Sequence, residues 1–282
     1  MEFSVRNPLR NMTKTIPRGM LIAGLLCMLA TSSVQYNIAQ SASPLNGTLT
    51  VFAAVSLTEA FTALAQRLKT LYPGLRIQFN FAGSQSLRTQ LEQGAPADVF
   101  ASANVDQMEL AQQSGVVLVE SHLFVKNRLV VIAPRDNPGK LAAFRDLATP
   151  GLKLVLAGPH VPVGQYSRQA LRQAAADYGA DFEAQVLQNL VSEEHNVKQV
   201  VTKVQLAEAD AGITYVSDIT PRIKPDILTL PIPEAYNQIA TYPIALVNGT
   251  RQRTAAQAFI DFVRSDPGQA LMASYNFIPV KE

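Results

Sequence analysis

The stretch Phe52-Ala53-Ala54-Val55-Ser56-Leu57-Thr58-Glu59 decides the fold, because a strand pattern passes into a helix pattern within it. Residues 48–53 are typical of a buried strand, and apolar residues recur at helical spacing over 57–71. Ser56 and Glu59 have the spacing of a capping box, which predicts Ser56 at or beside the helix N-cap. A helix N-terminus presents unpaired N–H groups and a partial positive charge, so this junction suits an anion. The alternative is that Ser56 only caps its own helix.

The first 43 residues have the pattern of an export signal. A basic leader precedes an apolar run at 20–30, and small polar residues follow this run. The run is shorter than the roughly 20 apolar residues that a membrane-spanning helix needs. Cys27, the only cysteine of the chain, lies in this segment. We therefore expect residues 1–43 to be a cleaved signal peptide and leader, and the mature chain to be periplasmic and free of thiols.

The composition of the chain excludes several classes of function. About 240 residues follow the leader, enough for one large domain or two small ones. The net charge is only +2, with no strongly basic stripe, so a role in binding nucleic acid or a membrane surface has little support. The three histidines lack metal-ligand spacing, so we expect neither a metal site nor a cofactor.

Strand and helix patterns alternate after the first junction, which predicts parallel sheet and an α/β fold. Sheets of this kind bind ligands at the carboxyl ends of their strands. Ser56, Ser84 and Val163 each lie where a strand pattern passes into a helix pattern. Val197 begins a further helix, and Tyr215 ends a strand. The predicted strands are 48–53, 75–81, 97–101, 128–133, 152–157, 211–215, 227–230 and 242–247, and the predicted helices are 57–71, 87–93, 105–114, 141–148, 165–178, 182–190, 197–207, 254–264 and 267–274.

Five motifs occur in the order and spacing of one protein family. They are Ala53-Ala54-Val55-Ser56-Leu57, Phe81-Ala82-Gly83-Ser84, Gly94-Ala95-Pro96-Ala97-Asp98-Val99, His160-Val161-Pro162-Val163-Gly164 and Gly212-Ile213-Thr214-Tyr215. Over residues 47–280 the chain resembles the periplasmic molybdate-binding proteins of ABC transporters. The resemblance implies a type II periplasmic-binding-protein fold, in which two lobes, each a mainly parallel sheet flanked by helices, enclose a ligand cleft. It implies a discontinuous lobe 1 at 44–126 plus 241–282, and lobe 2 at 127–240.

By this resemblance, neutral groups hold a tetrahedral oxyanion in the cleft. They bind its oxygens, and no side chain ligates the metal atom at the centre of the oxyanion. Val163 stands where the family often has alanine, a change that keeps the backbone donor. Glu193 and Glu194 place two acids just before Val197, where negative charge opposes an anion. The implied ligand set comprises the hydroxyls of Ser56, Ser84 and Tyr215 and the backbone N–H groups of Val163 and Val197.

We therefore expect a solute receptor, not an enzyme, that binds molybdate, or tungstate, whose shape and charge are nearly the same. The expected partners are an inner-membrane ABC permease and its ATPase, and we expect the receptor to be a monomer. Sulfate and phosphate are the rival ligands. A secreted α/β hydrolase is a second class of function, but the sequence lacks the Gly-x-Ser-x-Gly pattern. A one-component sensor is a third class, although the sequence shows no DNA-binding segment or membrane anchor.

Overall fold

The computed structural model describes residues 45–280. The signal-peptide prediction for residues 1–43, including Cys27, lies outside this range. Within it, no helix combines the length and the apolar character needed to cross a bilayer.

Strands and helices alternate along the described chain, as the hydrophobic pattern predicts. The strands are β1 (Gly47–Ala54), β2 (Leu75–Ala82), β3 (Val99–Ala101), β4 (Val117–Pro134), β5 (Leu154–Ala157), β6 (Leu190–Glu194), β7 (Ala211–Tyr215), β8 (Ile227–Pro231), β9 (Ile239–Val247) and β10 (Ile278–Pro279). The helices are α1 (Thr58–Leu71), α2 (Ser84–Glu92), α3 (Val105–Gln113), α4 (Pro162–Tyr178), α5 (Phe182–Gln188), α6 (Val197–Gln205), α7 (Arg253–Arg264) and α8 (Asp266–Ser274).

The strands join in the order β2-β1-β3-β9-β4-β7-β5-β6, and β8 and β10 also pair with β4. Strand β1 is parallel to β2 and β3, and β5 is parallel to β6 and β7. We call β1, β2, β3 and β10, with α1 to α3, α7 and α8, the first half, and β5 to β8, with α4 to α6, the second half. Parallel strands flanked by helices in both halves confirm the predicted fold class.

The long antiparallel strands β4 and β9 connect the two halves. Strand β4 pairs with β9 as far as Arg128↔Ile239 and pairs with β7 from Leu129↔Tyr215 onward. One strand therefore belongs to both sheets. The lobe boundaries at 44–126 plus 241–282 and at 127–240 stay a prediction.

The structure differs from the predicted elements most clearly in the following places, besides the short strand β10, which was not predicted. The strand predicted at 128–133 is only the second part of β4, because polar residues and irregular register obscure the alternation between Val117 and Val125. The helix predicted at 141–148 is a 3-10 turn, Phe144–Ala148. The helix predicted at 182–190 ends at Gln188, and the edge strand β6 follows it. An edge strand with exposed, acidic residues lacks the apolar run that identifies buried strands.

An aromatic cluster fixes α1 against the first half of the sheet. Phe61 is fully buried, and its ring centroid lies 5.4 Å from that of Phe259 on α7 and 5.8 Å from that of Phe124 on β4. Burial of one such side chain stabilises the fold by about 1.5–3 kcal/mol. The cluster therefore holds the N-terminus of α1, and the residues just before it, in a defined position.

Candidate ligand-binding site

Ser56 lies in the connection between β1 and α1, within a 3-10 turn, Val55–Leu57. It is 3% exposed, and its Oγ lies 3.1 Å from the Oη of Tyr242, with no capping bond to the helix. Glu59 forms an ion pair with Lys198 at 2.9 Å. The predicted capping box is therefore wrong, because the 3-10 turn separates Ser56 from the start of α1 and the tyrosine hydroxyl binds its Oγ.

Ser84 is the first residue of α2 and lies deep in the first half. It is 1% exposed, and its Oγ accepts a hydrogen bond of 3.0 Å from the N–H of Ala103. The hydroxyl proton of Ser84 therefore stays available to another acceptor. A Cβ on Gly83 would lie 2.7 Å from the carbonyl oxygen of His195, so glycine allows α2 to approach the second half closely.

Val163 lies in the first turn of α4, in the second half. Pro162 occupies the start of the helix, where its missing N–H removes no helical bond. The N–H of Val163 lies in the same turn and has no intrahelical partner. A Cβ on Gly164 would lie 2.1 Å from the carbonyl oxygen of Gly158, so glycine here lets α4 pack against the end of β5.

Val197 is the first residue of α6. Asn196 caps this helix, since its Oδ1 accepts a 3.1 Å hydrogen bond from the N–H of Gln199. The cap satisfies a donor further along the first turn and leaves the N–H of Val197 without an intrahelical partner. A second backbone donor is therefore available from this half.

The two acids that precede Val197 are both paired. Glu193 forms an ion pair with Arg168, and Glu194 forms one of 2.7 Å with Lys203. Paired charges produce a much weaker field at a distance than a single charge does. The acids therefore oppose an anion less strongly than the sequence suggests.

Tyr215 ends β7 and is 1% exposed. Among the described residues, its Oη has no hydrogen-bond partner. Burial raises the pKa of Tyr215 well above its ordinary value, so the hydroxyl keeps its proton near neutral pH. A buried hydroxyl without a partner is rare in proteins and marks a place where a ligand or water completes the bonding.

Lys198 follows the site residue Val197 directly in the sequence, but its positive charge is already paired with two carboxylates. Its Nζ lies 2.9 Å from Glu59 Oε1 and 3.3 Å from Asp218 Oδ1. Burial acts to lower the pKa of Lys198, but the two carboxylates outweigh it and hold the pKa above its ordinary value. The other oxygen of Asp218 accepts bonds from the Thr214 hydroxyl (3.0 Å) and the Tyr215 N–H (3.3 Å). The cluster therefore supports the end of β7.

All five predicted site residues line one small cavity. Its volume is about 20 Å³, slightly more than the roughly 10–15 Å³ that one water needs. At this volume the cavity has the size of one or two waters and is too small for a sugar or a peptide. None of its lining residues is charged: Ala54, Val55, Ser56, Ala82, Gly83, Ser84, Ala103, Val161, Pro162, Val163, Asn196, Val197 and Tyr215.

Comparison with known proteins identifies the family. Residues 49–278 match the family described as bacterial extracellular solute-binding protein. The chain belongs to this family. This solute-binding protein is 36% identical over 260 residues to the molybdate-binding protein of Mycobacterium tuberculosis, covering 92% of this chain and 94% of the relative. The resemblance stated from the sequence is thereby confirmed.

Solved structures give the same fold. The periplasmic molybdate-binding protein of Azotobacter vinelandii superposes with a TM-score of 0.72 at 19% identity, covering 83% of this chain and 100% of that one. The sulfate-binding protein of Mycobacterium tuberculosis superposes with a TM-score of 0.76 at 16% identity, covering 84% of this chain and 88% of the other. At these identities the likeness shows the fold alone.

The cavity of this solute-binding protein offers hydrogen-bond donors and no charged group. Helix N-termini from both halves and three hydroxyls surround it, an arrangement that favours an anion. No histidine lines it to act as a base for a serine nucleophile. Within residues 45–280, no group of three or more His, Cys, Asp or Glu residues could hold a metal ion. The arrangement is suited to reversible binding of a small anion.

Two residues next to the site were not predicted from the sequence. Tyr242 contacts Ser56, and Asn127 contacts Tyr242, and both residues are fully buried. A tyrosine in a strand pattern is indistinguishable from an ordinary core residue, and a lone asparagine between Lys126 and Arg128 has no motif. The pairing of β4 with β9 brings them together behind Ser56.

Proposed function

We propose that this solute-binding protein captures molybdate outside the cytoplasm and delivers it to an ABC importer. In this proposal Ser56, Ser84 and Tyr215 donate through their hydroxyls, and Val163 and Val197 donate through their backbone N–H groups. The observation that carries the proposal is the unpartnered Tyr215 hydroxyl, which lines a 20 Å³ cavity together with donors from both halves. The similarity to a relative named as molybdate-binding supports the same ligand.

The neutral character of the site suits capture followed by release. A tetrahedral dianion can accept about eight hydrogen bonds, counting two lone-pair directions per oxygen. Backbone and hydroxyl donors provide such bonds without a formal positive charge. A lysine or arginine in the cavity would hold the anion more tightly and slow its transfer to the permease. The free energy needed to release the anion to the permease is therefore smaller than it would be from a site with a positive charge.

The proposal includes the rest of the uptake system. The chain is exported by its N-terminal signal, acts as a monomer in the periplasm, and presents the bound anion to an inner-membrane permease driven by an ATPase. Tungstate binds to the same site, because its shape and charge are nearly those of molybdate. An enzymatic role has no support from the family or from the composition of the cavity.

Sulfate is the second candidate ligand. A protein named as sulfate-binding shares this fold. Sulfate is also an unprotonated tetrahedral dianion, so donor chemistry alone does not separate it from molybdate. Size separates the two, since sulfate is the smaller tetrahedron.

Calorimetric titration of the exported protein with molybdate, tungstate, sulfate and phosphate tests the proposal. We expect molybdate and tungstate to bind with similar, high affinity, and sulfate to bind weakly. Sulfate binding more tightly than molybdate would transfer the assignment to sulfate. Absence of binding to all four anions would refute the oxyanion site.

A further inference from the structure

A chain of buried polar side chains leads from the connecting strands to Ser56. Asn127 lies on β4 and Tyr242 on β9, where these strands pass between the halves. Both residues are 0% exposed, and Ser56 is 3% exposed. In such a dry environment each polar atom must find its partner within the chain, so the direction of every hydrogen bond is constrained.

Asn127 determines which group donates and which accepts in this hydrogen-bond chain. Its Oδ1 accepts a 2.9 Å hydrogen bond from the backbone N–H of Arg128, which can only donate. This contact fixes which end of the amide is oxygen and which is nitrogen. The Nδ2 group therefore faces the other way, 2.8 Å from Ser217 Oγ and 3.4 Å from Tyr242 Oη. An amide nitrogen can only donate, so Tyr242 accepts.

Hydrogen-bond donation continues in the same direction from Tyr242 to Ser56, which lines the cavity. The Tyr242 hydroxyl has one proton, and Ser56 Oγ, 3.1 Å away, is an acceptor within hydrogen-bond distance. The neighbouring Tyr215 Oη has no partner at that distance among the described residues, so it does not compete for this proton. Burial raises the pKa of Tyr242, so this proton stays on the tyrosine. Tyr242 therefore donates to Ser56, and the single proton of Ser56 is left to point into the cavity. Ser84 is in the same state, since its Oγ accepts from Ala103 N–H at 3.0 Å.

We infer that Asn127 and Tyr242 are positioning residues that make Ser56 a donor and thereby select oxyanions that carry no proton. This inference rests on the proposed oxyanion function and adds to it a source of selectivity outside the cavity. A protonated anion such as hydrogen phosphate must donate its proton to an acceptor in the site. Ser56 and Ser84 each already accept one bond from the protein and have their proton directed to the cavity, so a serine that turns to accept from the ligand stops donating to it.

A double-mutant cycle between Ser56→Ala and Tyr242→Phe tests the inference. The affinity of the full exported protein for molybdate is measured by calorimetry. We expect Ser56→Ala to weaken binding roughly 10- to 150-fold, the value for a bond to a charged ligand. Tyr242→Phe should weaken binding about tenfold, because Ser56 loses the bond that orients its proton. In the Ser56→Ala background, Tyr242→Phe should weaken binding less than about twofold, because Tyr242 acts through Ser56.

A second readout distinguishes orientation from general disturbance. In Tyr242→Phe a lone pair of Ser56 becomes free to accept, so hydrogen phosphate should compete against bound molybdate more strongly, relative to sulfate, than it does in the wild type. Asn127→Leu, which removes the donor to Tyr242, should have the same effect and replaces Tyr242→Phe if that variant does not fold. Tyr236→Phe is the control, because this hydroxyl bonds to Asp177 and does not line the cavity.

The outcomes separate this inference from the proposed function. If the wild type binds none of the oxyanions, the proposed function fails and the inference fails with it. If the wild type binds molybdate but the losses in the cycle are additive, only the inference fails. A ratio of phosphate to sulfate competition that is unchanged in Tyr242→Phe and Asn127→Leu would also overturn it.

Discussion

Substitution of Tyr215 by phenylalanine should separate binding from folding. The change deletes one oxygen from a side chain that is 1% exposed and whose Oη has no hydrogen-bond partner among the described residues. An unsatisfied buried polar group destabilises a protein by about 1–3 kcal/mol, and water in the cavity relieves part of this penalty. The ligand-free Tyr215→Phe variant should therefore be at least as stable as the wild type. Its ring keeps the edge contact with Tyr242, whose centroid lies 5.9 Å away.

The same deletion should weaken the bound state. A hydrogen bond to a charged partner contributes about 1.5–3 kcal/mol, which corresponds to a loss of roughly 10- to 150-fold in affinity. Calorimetry gives the dissociation constant for molybdate directly. Thermal unfolding with and without molybdate gives an independent measure, because stabilisation by a ligand follows the ratio of its concentration to the dissociation constant. Without molybdate, the unfolding temperature of the variant should be no lower than that of the wild type. With molybdate present, the variant should unfold at a lower temperature than the wild type does.

Tyr236→Phe provides the matched control, since its hydroxyl bonds to Asp177 away from the cavity. It should leave the affinity for molybdate unchanged. An unchanged affinity in Tyr215→Phe would show that Tyr215 is not a ligand. A clear loss of stability in ligand-free Tyr215→Phe would show instead that its hydroxyl has a partner in the free protein.

Three further predictions concern donors, motion and selectivity. Ser84→Ala should lower the affinity for molybdate by a similar factor and also lower the free energy of unfolding by about 1–3 kcal/mol, because Ala103 N–H loses its acceptor; equal stability in chemical denaturation would contradict this. Molybdate should make the protein more compact in small-angle scattering, because the Glu59–Lys198 ion pair and the ligand both join the two halves. Identical profiles would mean that the ligand contacts only one half or that the free protein is already closed. Phosphate is partly protonated near neutral pH, since related phosphates have a pKa of about 6. It should therefore not bind detectably at millimolar concentration in calorimetry. A phosphate affinity equal to that of molybdate would exclude a site made only of hydrogen-bond donors.

The sequence predicts the elements that have a simple amphipathic pattern. In α6 the four buried residues are Val197, Val200, Val201 and Val204, the spacing of one helix face. The position of Ser84 also follows from the chain alone, because a strand pattern passes into a helix pattern there. Elements without such a pattern were missed. Strand β6 lies at an edge with two acids, and the first part of β4 is irregular and partly exposed.

The local contacts of Ser56 could not be predicted from spacing. The sequence Ser56-x-x-Glu59 matches a capping box, yet Glu59 bonds to Lys198, which is 139 residues away. The partner of the Ser56 hydroxyl, Tyr242, is 186 residues away. Local motifs compete with long-range contacts for the same side-chain atoms, and burial makes the long-range contact stronger. A capping motif at a buried junction is therefore weaker evidence than the same motif on an exposed helix.

The charges near the cavity show why its binding must depend on dipoles. Lys198 lies between Glu59 and Asp218, and Glu194 is paired with Lys203, so each formal charge close to the site has an opposite charge within about 3 Å. The Glu59–Lys198–Asp218 group has two carboxylates and one cation, and the Glu194–Lys203 pair has one of each, so neither supplies a net positive charge to attract an anion. An entering dianion thus gains its stabilisation from oriented N–H and O–H groups, whose bonds are short-ranged and depend on direction. Selectivity then follows from where these donors stand and which way they point, and the residues that orient a hydroxyl matter as much as the residue that carries it.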